Sequence, residues 1–183
     1  MKESTERKVE GQEIYRGKLL TLHRDIVEMP TGTRAVREVV HHPGAVAVVP
    51  FLNEDTLVLV RQFRYAVGEE LVEIPAGTLK QGESPEECVQ RELREEIGYE
   101  AKTIAKITSL FPAPGYTDEV IHLFIARDLF PSQTEGEEDE VVEPVFLTMG
   151  EAIEWLQTGR IKDGKTIAGL LLALDFIKKE KGG

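Results

Sequence analysis

Three glutamates, Glu92, Glu95 and Glu96, have a residue type and a spacing that could bind a metal cation. They fall at positions i, i+3 and i+4, so a helix would place them within an arc of about 100°. Like charges at this spacing repel one another, and a cation must offset that repulsion unless the face is only a solvated acidic surface. Clustered carboxylate oxygens suit Mg²⁺ or Mn²⁺ better than zinc, which favours nitrogen and sulfur ligands.

The helix that would carry these glutamates has clear boundaries in the sequence. Ser84, Pro85 and Glu87 supply a capping serine, a proline at the first helical position and a glutamate at the third, which form a capping box. Gly98 is expected to end the helix. An apolar stripe lies beside the acidic arc and predicts packing against a sheet. Its members are Val89, Leu93 and Ile97.

The sequence of the rest of the chain predicts strands and two further helices. Residues 45–52 are continuously apolar and rich in valine, which predicts a strand buried on both faces. This mixture of strands with two or three helices indicates an α/β or α+β sandwich around one core. Further strands are predicted at 56–63, 71–75, 101–109, 119–126 and 141–147, and the later helices at 148–158 and 165–179.

The N-terminal part forms a separate β segment in this prediction. Residues 8–28 carry a β-type pattern, and a turn at 30–33 leads into a second β run at 34–41. We therefore divide the chain into an N-terminal β segment, 1–42, and a main domain, 43–183. A hairpin or small sheet of this size buries too little apolar surface to be stable alone. We expect it to pack across a twofold axis in a homodimer, where its N-terminal segment reaches the partner's site.

Composition excludes several classes of protein. The 183 residues carry a formal net charge of −11, which argues against a nucleic-acid backbone as the main partner. The single cysteine, Cys88, excludes a disulfide framework and a cysteine-rich zinc site, and it fits a reducing cytoplasm. The first 18 residues lack the apolar core of a signal peptide, and no apolar run reaches the roughly 18 residues that span a bilayer.

The segment from Gly77 to Tyr99, GTLKQGESPEECVQRELREEIGY, resembles the Nudix box, G-x5-E-x7-R-E-U-x-E-E-x-G-U, where U is apolar. Nine positions agree over 23 residues, with tyrosine accepted at the last of them. A match of this extent is highly specific. The matching residues are Gly77, Glu83, Arg91, Glu92, Leu93, Glu95, Glu96, Gly98 and Tyr99.

The resemblance implies a Nudix-type α/β/α sandwich with a mixed sheet, which cleaves a diphosphate linked to another moiety and uses Mg²⁺ or Mn²⁺. It also implies roles for the box residues. Glu92, Glu95 and Glu96 would bind the metal with help from Glu83, and Arg91 would orient these carboxylates by ion pairing. The family takes its water-activating glutamate from the loop before the last strand. The matching residue here is Glu138 or Glu140, with Glu95 or Glu83 as the next candidate.

Features outside the box resemble the ADP-ribose pyrophosphatase branch of that family. The stretch VEIPAGTL at 72–79 precedes the box as in that branch, and it makes the carbonyl of Ala76 a further metal ligand. Pro114 lies 16 residues after Gly98, where the branch carries a marker proline. The stretches RQFRY at 61–65 and REVVHHPGAV at 37–46 resemble two more of its elements.

The same branch suggests which residues contact the substrate. An arginine fork matches phosphate oxygens, which favours Arg64 and, less strongly, Arg37 over simple surface charges. Glu119 follows the proline loop, where the branch binds the terminal ribose. Pro114 belongs to that loop, and Tyr15 is the aromatic residue available to stack on a base.

The resemblance thus implies a cytoplasmic, Mg²⁺-dependent enzyme that cleaves ADP-ribose to AMP and ribose 5-phosphate. Two alternatives remain. The first is the same chemistry on another nucleoside diphosphate sugar, such as GDP-mannose. The second is a Nudix module that senses ADP-ribose without cleaving it. Such modules usually lose box glutamates and carry a DNA-binding appendage, whereas this chain keeps every box glutamate and has no basic recognition helix.

Overall fold

The computed structural model describes residues 5–132 and 141–182. Its described residues divide into two compact units, one built from the N-terminal part with residues 111–120 and one from the remainder. The N-terminal unit holds an antiparallel sheet of three strands in the order β1-β2-β3, so the prediction of a small sheet is confirmed. The run at 8–28 forms two of these strands, because a turn at 17–20 reverses the chain. The strands are β1 (Arg7–Arg16), β2 (Thr21–Glu28) and β3 (Arg34–His41).

Residues 111–120 join this N-terminal unit through β3. The backbone N–H of Val40 donates to the carbonyl of Tyr116 at 2.8 Å, and the N–H of Asp118 donates back to the carbonyl of Val40 at 3.2 Å. The ring of His41 bonds Asp118 through Nδ1 at 2.5 Å. The proline loop predicted to contact the substrate is therefore tied to the N-terminal sheet.

The larger unit contains two sheets and three helices. The first sheet has the order β7-β4-β9-β8, in which β4 and β9 run parallel and the other neighbours antiparallel, and the second has the order β10-β5-β6. Its strands are β4 (Ala45–Pro50), β5 (Thr56–Arg64), β6 (Glu69–Glu73), β7 (Ala76–Thr78), β8 (Tyr99–Leu110), β9 (Ile121–Pro131) and β10 (Val142–Thr148). Its helices are α1 (Pro85–Ile97), α2 (Met149–Gln157) and α3 (Gly164–Gly182).

Strand β4 lies at the centre of an α/β/α sandwich. All six of its residues are buried, as the continuous apolar run predicts. Val46 and Val48 face a core shared with Val89 and Leu93 of α1. The alternate residues face a second core, to which α3 contributes Leu170 and Ala173. Because successive side chains of a strand point to opposite faces, β4 packs against helices on both sides.

Helix α1 begins and ends where its sequence predicts. The Ser84 side chain accepts from the N–H of Glu87, and the Glu87 carboxylate accepts from the N–H of Ser84. Gly98 ends the helix with φ 74°, a left-handed conformation that glycine adopts without steric cost. Within the described ranges, none of the helices combines the length and apolar character needed to cross a membrane.

Candidate active site

Arg91 lies within an acidic group formed by Glu92, Glu95 and Glu96 of α1 and by Glu83, which lies just before the helix. Its guanidinium donates to Glu83 through Nε at 2.8 Å, and through Nη1 to Glu92 at 2.5 Å and to Glu95 at 2.9 Å. Nη2 also donates to the carbonyl of Thr78 at 3.0 Å. The repulsion among the stacked carboxylates is therefore offset in part by an arginine of the same helix, which fixes their positions relative to strand β7.

The remaining contacts connect the α1 carboxylates to the chain just before the box. Glu96 is 8% exposed and accepts a hydrogen bond from the backbone N–H of Ala76 at 3.1 Å. Glu92 is 6% exposed and lies so close to Gly77 that a Cβ there would be 1.6 Å from Oε1 of the carboxylate. Gly77 is therefore required by close approach rather than by a special backbone angle.

The donor set suits a hard divalent cation. Glu83, Glu92, Glu95 and Glu96 supply carboxylate oxygens, and the carbonyl of Ala76 is a further oxygen donor on the adjoining strand. In residues 5–132 and 141–182, no three acidic, histidine or cysteine side chains form a ready-made metal cage. Instead, Arg91 already engages three of the four carboxylates, so a bound cation would share these oxygens with its guanidinium.

The carboxyl group of Glu83 is strongly stabilised in its ionised form. Hydrogen bonds from Arg91, followed by one from the backbone N–H of Lys80, lower the pKa of Glu83 to about 2 against the opposing effect of burial. The same ion pairs raise the pKa of Arg91 further above its ordinary value. Glu83 is therefore ionised throughout the physiological range and is a poor proton acceptor.

We expect this pair to make the protein less stable in acid. The folded-state pKa of Glu83 lies below its ordinary value of 4.5, so its stabilising effect is complete above pH 4.5. That effect is lost as pH falls from about 4.5 towards 2. In urea unfolding with EDTA present, the stability gap between the wild type and Glu83→Gln should be constant above pH 5 and close below it. A gap that stays constant down to pH 3 would contradict this.

Arg64 lies at the end of β5 and is held by Glu73. Its Nε and Nη2 donate to the two carboxylate oxygens of Glu73 at 2.9 and 2.8 Å. The hydrogen bonds to Glu73 raise the pKa of Arg64, and the negative charges of Glu73 and Glu96 add to this effect. Lys165 also contacts Glu73. Neither Glu73 nor Lys165 is among the site residues predicted from the sequence. Glu73 lies within the stretch VEIPAGTL, which is a signal for it, whereas no sequence motif includes Lys165.

The other residues proposed for substrate contact lie in the N-terminal unit. Tyr15 and Pro114 are exposed, Arg37 pairs with Glu6 at 2.6 Å, and the Glu119 carboxylate lies 3.9 Å from Nδ1 of His42. Their roles remain predictions. The two proposed base residues, Glu138 and Glu140, lie outside the described residues.

Buried Cys88 contributes packing and not reactivity. It is fully buried beside the acidic group, and burial raises the pKa of its thiol to about 12. A thiol with so high a pKa is a poor nucleophile at neutral pH. Cys88 is therefore a packing residue in the core that it shares with Val89 and Leu93.

The chain matches two family models over adjoining ranges. Residues 41–170 match the NUDIX domain, and residues 6–40 match the nucleoside diphosphate sugar hydrolase N-terminal domain. The chain belongs to the NUDIX family. It is a hydrolase of that family, whose members generally use divalent metal ions.

Several proteins resemble this NUDIX hydrolase over most of its length. It is 40% identical to the ADP-ribose pyrophosphatase of Bacillus subtilis, with 91% of each chain covered. It is also 40% identical to the methanol dehydrogenase activator of Bacillus methanolicus, covering 88% of this chain and 89% of that one. The GDP-mannose pyrophosphatase of Yersinia enterocolitica is 38% identical over 75% of this chain and 76% of its own. A solved ADP compounds hydrolase superposes with a TM-score of 0.86 at 25% identity, covering 96% of this chain and 95% of that one.

Proposed function

We propose that this NUDIX hydrolase cleaves the diphosphate of ADP-ribose, with Mg²⁺ as cofactor, and releases AMP and ribose 5-phosphate. The observation that carries the proposal is the acidic group, in which Arg91 holds the carboxylates of Glu83, Glu92 and Glu95. Such a site offers oxygen ligands to a cation, and Arg64 offers an arginine fork to phosphate. The ADP-ribose pyrophosphatase from Bacillus subtilis supports the choice of ADP-ribose.

In this proposal Glu92, Glu95 and Glu96 hold the metal, with Glu83 and the carbonyl of Ala76 as further donors. When bound, Mg²⁺ polarises the phosphorus and links the anionic diphosphate to an anionic protein. Arg91 offsets the repulsion among Glu83, Glu92 and Glu95 and fixes their positions through its hydrogen bonds. Mn²⁺ has the same ligand preference and is expected to substitute.

We expect Gly77→Ala to impair the metal site while leaving the fold intact. A Cβ at this position displaces only the end of the Glu92 side chain, so the backbone need not move. Displacing one ligand should lower Mg²⁺ affinity and turnover by roughly 10- to 100-fold, as for other residues that support metal ligands. Mg²⁺ titrations of activity, with thermal melting alongside, measure both effects. The control is Gly164→Ala, where a Cβ meets open space; equal activity of the two variants would contradict the placement of Glu92.

The proposed substrate contacts rest on the resemblance of the sequence to the ADP-ribose pyrophosphatase branch. Arg64 would bind the diphosphate, and Arg37 is the second candidate for that role. Glu119 would bind the terminal ribose, with Pro114 shaping the same loop. Tyr15, which is 57% exposed, offers an aromatic face to the adenine.

GDP-mannose is the second candidate substrate, because GDP-mannose pyrophosphatases also resemble this chain. The two candidates share the diphosphate chemistry and differ in base and sugar. A panel of ADP-ribose, GDP-mannose, NADH, diadenosine polyphosphates and 8-oxo-dGTP, assayed with Mg²⁺, discriminates between them. We expect the highest kcat/KM for ADP-ribose. A preference for GDP-mannose would replace the substrate while keeping the reaction class.

We further propose a cytoplasmic homodimer assembled through the N-terminal sheet, with the N-terminal segment reaching the partner's substrate pocket. Every residue of β1 is exposed, although the strand carries apolar side chains. Exposed apolar groups on a small sheet are a feature of surfaces that bind another chain. The exposed apolar residues of β1 and β3 are Val9, Ile14, Tyr15 and Val36.

A dimer of this kind should have twice the chain mass of 20.5 kDa in solution. We expect Ile14→Asp, on β1, to shift the protein towards monomer and to reduce activity, since a charge would enter the interface. The matched control is Leu171→Asp, because Leu171 is 52% exposed and Ile14 is 50% exposed. Sedimentation at micromolar concentration measures the mass. A fully active monomeric wild type would refute the dimer.

A further inference from the structure

Glu73 is a buried carboxylate that forms ion pairs with two basic side chains and is not one of the proposed metal ligands. Its side chain is 1% exposed and lies between Arg64 of β5 and Lys165 of α3. Burying an ionised group is costly unless partners compensate it, and apolar side chains often fill such a space at no loss of stability. Stability alone is therefore a weak explanation for the cluster of Glu73, Arg64 and Lys165. The orientation in which Glu73 holds the Arg64 guanidinium offers a better one.

The hydrogen bonds between Arg64 and Glu73 use one edge of the guanidinium. Nε and Nη2 each donate to one oxygen of Glu73, which fixes the plane of the group. Neither bond involves Nη1, and the Arg64 side chain remains 39% exposed. The outer edge of a planar fork is thus held at a fixed orientation and stays accessible to an anion from solvent.

Glu73 is itself held from a second direction. Lys165 contacts its carboxylate from the first turn of α3 and also lies 3.1 Å from Asp163. The same turn is anchored to the strand end, because the backbone N–H of Ile74 donates to Oγ1 of Thr166 at 2.9 Å. Two elements far apart in sequence therefore fix the position of Glu73.

The segment that begins at Glu73 also reaches the acidic group. Three residues later, Ala76 donates its N–H to Glu96, and the next residue, Gly77, admits the carboxylate of Glu92. One stretch of five residues therefore connects the carboxylate that holds Arg64 to two of the proposed metal ligands. A shift of this stretch would move the arginine and the carboxylates together.

We propose that Glu73, anchored by Lys165, is a positioning residue that presents the outer edge of Arg64 to the diphosphate of the substrate. This inference rests on the proposed function, since it deepens the role given there to Arg64. An unrestrained arginine loses rotamer freedom when it binds phosphate, whereas Arg64 has already lost it in the folded protein. Immobilising one such side chain accounts for a change of about tenfold in affinity.

The test is a double-mutant cycle read out by binding rather than turnover. Calorimetry with Mg²⁺ and methylene diphosphonate, a diphosphate that water cannot cleave, is applied to the wild type, Glu73→Gln, Arg64→Ala and the double variant. A glutamine has one acceptor oxygen and an NH₂ group that donates, so it cannot accept both hydrogen bonds from the Arg64 guanidinium. We expect Glu73→Gln to weaken binding about tenfold and to add nothing in the Arg64→Ala background.

The matched control is Glu69→Gln, because Glu69 lies on the same strand and forms an exposed pair with Lys162 at 2.5 Å. It should bind the probe like the wild type. If Glu73→Gln does not fold, Glu73→Asp keeps the buried charge but withdraws its oxygens from Arg64, and it should weaken binding in the same direction. Three results would overturn the inference: wild-type affinity in a folded Glu73 variant, an equal loss with and without Arg64, or no binding of the probe by the wild type.

Hydrolysis of ADP-ribose by the wild type is measured separately. Hydrolysis together with unchanged binding in the Glu73 variants would refute the positioning role alone. Diphosphate binding that depends on Glu73, in a protein that does not cleave ADP-ribose, would refute the proposed substrate while leaving the positioning role in place.

Discussion

Glu92→Gln and Glu96→Gln should each lower turnover by about two to three orders of magnitude, because each removes a proposed ligand of the catalytic metal. A bound divalent ion supplies several kcal/mol of transition-state stabilisation, and 1.36 kcal/mol corresponds to a factor of ten in rate. The amide is nearly isosteric with the carboxylate, so packing around these buried side chains is preserved. The melting temperature should change by no more than about 4 °C, which is roughly 1 kcal/mol for a chain of this size.

Glu86→Gln is the matched control for this experiment. Glu86 lies on the same helix, carries the same charge and is exposed. It should retain wild-type turnover. The measurement is kcat at saturating Mg²⁺, accompanied by metal affinity for each variant. Near-wild-type activity in either ligand variant at saturating Mg²⁺ would show that the residue is not a ligand.

Glu138→Gln should lower kcat by roughly 10²- to 10⁴-fold, the range that a general base contributes. Attack on phosphorus needs a proton acceptor near the metal, and the box glutamates are poorly suited to that task. Glu92 and Glu95 accept hydrogen bonds from Arg91, and the pKa of Glu83 is lowered to about 2. The base is therefore expected from the acidic sequence at 135–140, which precedes the last strand in the chain. Glu138 is the first candidate, and Glu140 is the second.

Parallel Glu138→Gln and Glu140→Gln variants decide between these two residues. Affinity for ADP-ribose should change little, because the base contacts the attacking water and not the nucleotide. The measurements are kcat and ADP-ribose binding for each variant, with Glu135→Gln as a control in the same acidic stretch of the sequence. Two fully active variants would return the base role to the box, where Glu95 and Glu83 are the next candidates. Of these two, Glu95 comes first because the pKa of Glu83 is lowered to about 2.

Local signals explain why α1 could be predicted from the sequence. Ser84, Glu87 and Gly98 act within one turn of the helix ends, so their effect depends little on the rest of the fold. The strand at β4 was equally clear, since continuous apolar character is required of any strand that is covered on both faces. The resemblance to the NUDIX family is carried by the box residues, which all lie within one stretch of 23 residues.

Contacts between distant residues explain what the sequence left open. Glu73 and Lys165 are 92 positions apart, and no local pattern indicates that they meet. The role of Arg64 was inferred from its place in a motif, whereas its orientation depends on that long-range contact. The steric need for Gly77 is another such case, because it depends on a Glu92 carboxylate 15 residues further along the chain.

Product analysis of ADP-ribose incubated with the wild-type protein and Mg²⁺ shows whether the protein catalyses the proposed reaction. We expect AMP and ribose 5-phosphate in equal amounts, with no products when EDTA is present and a strongly reduced yield with Glu92→Gln. Intact ADP-ribose after incubation with folded wild-type protein and saturating Mg²⁺ would contradict the proposed reaction, as would cleavage at any bond other than the diphosphate.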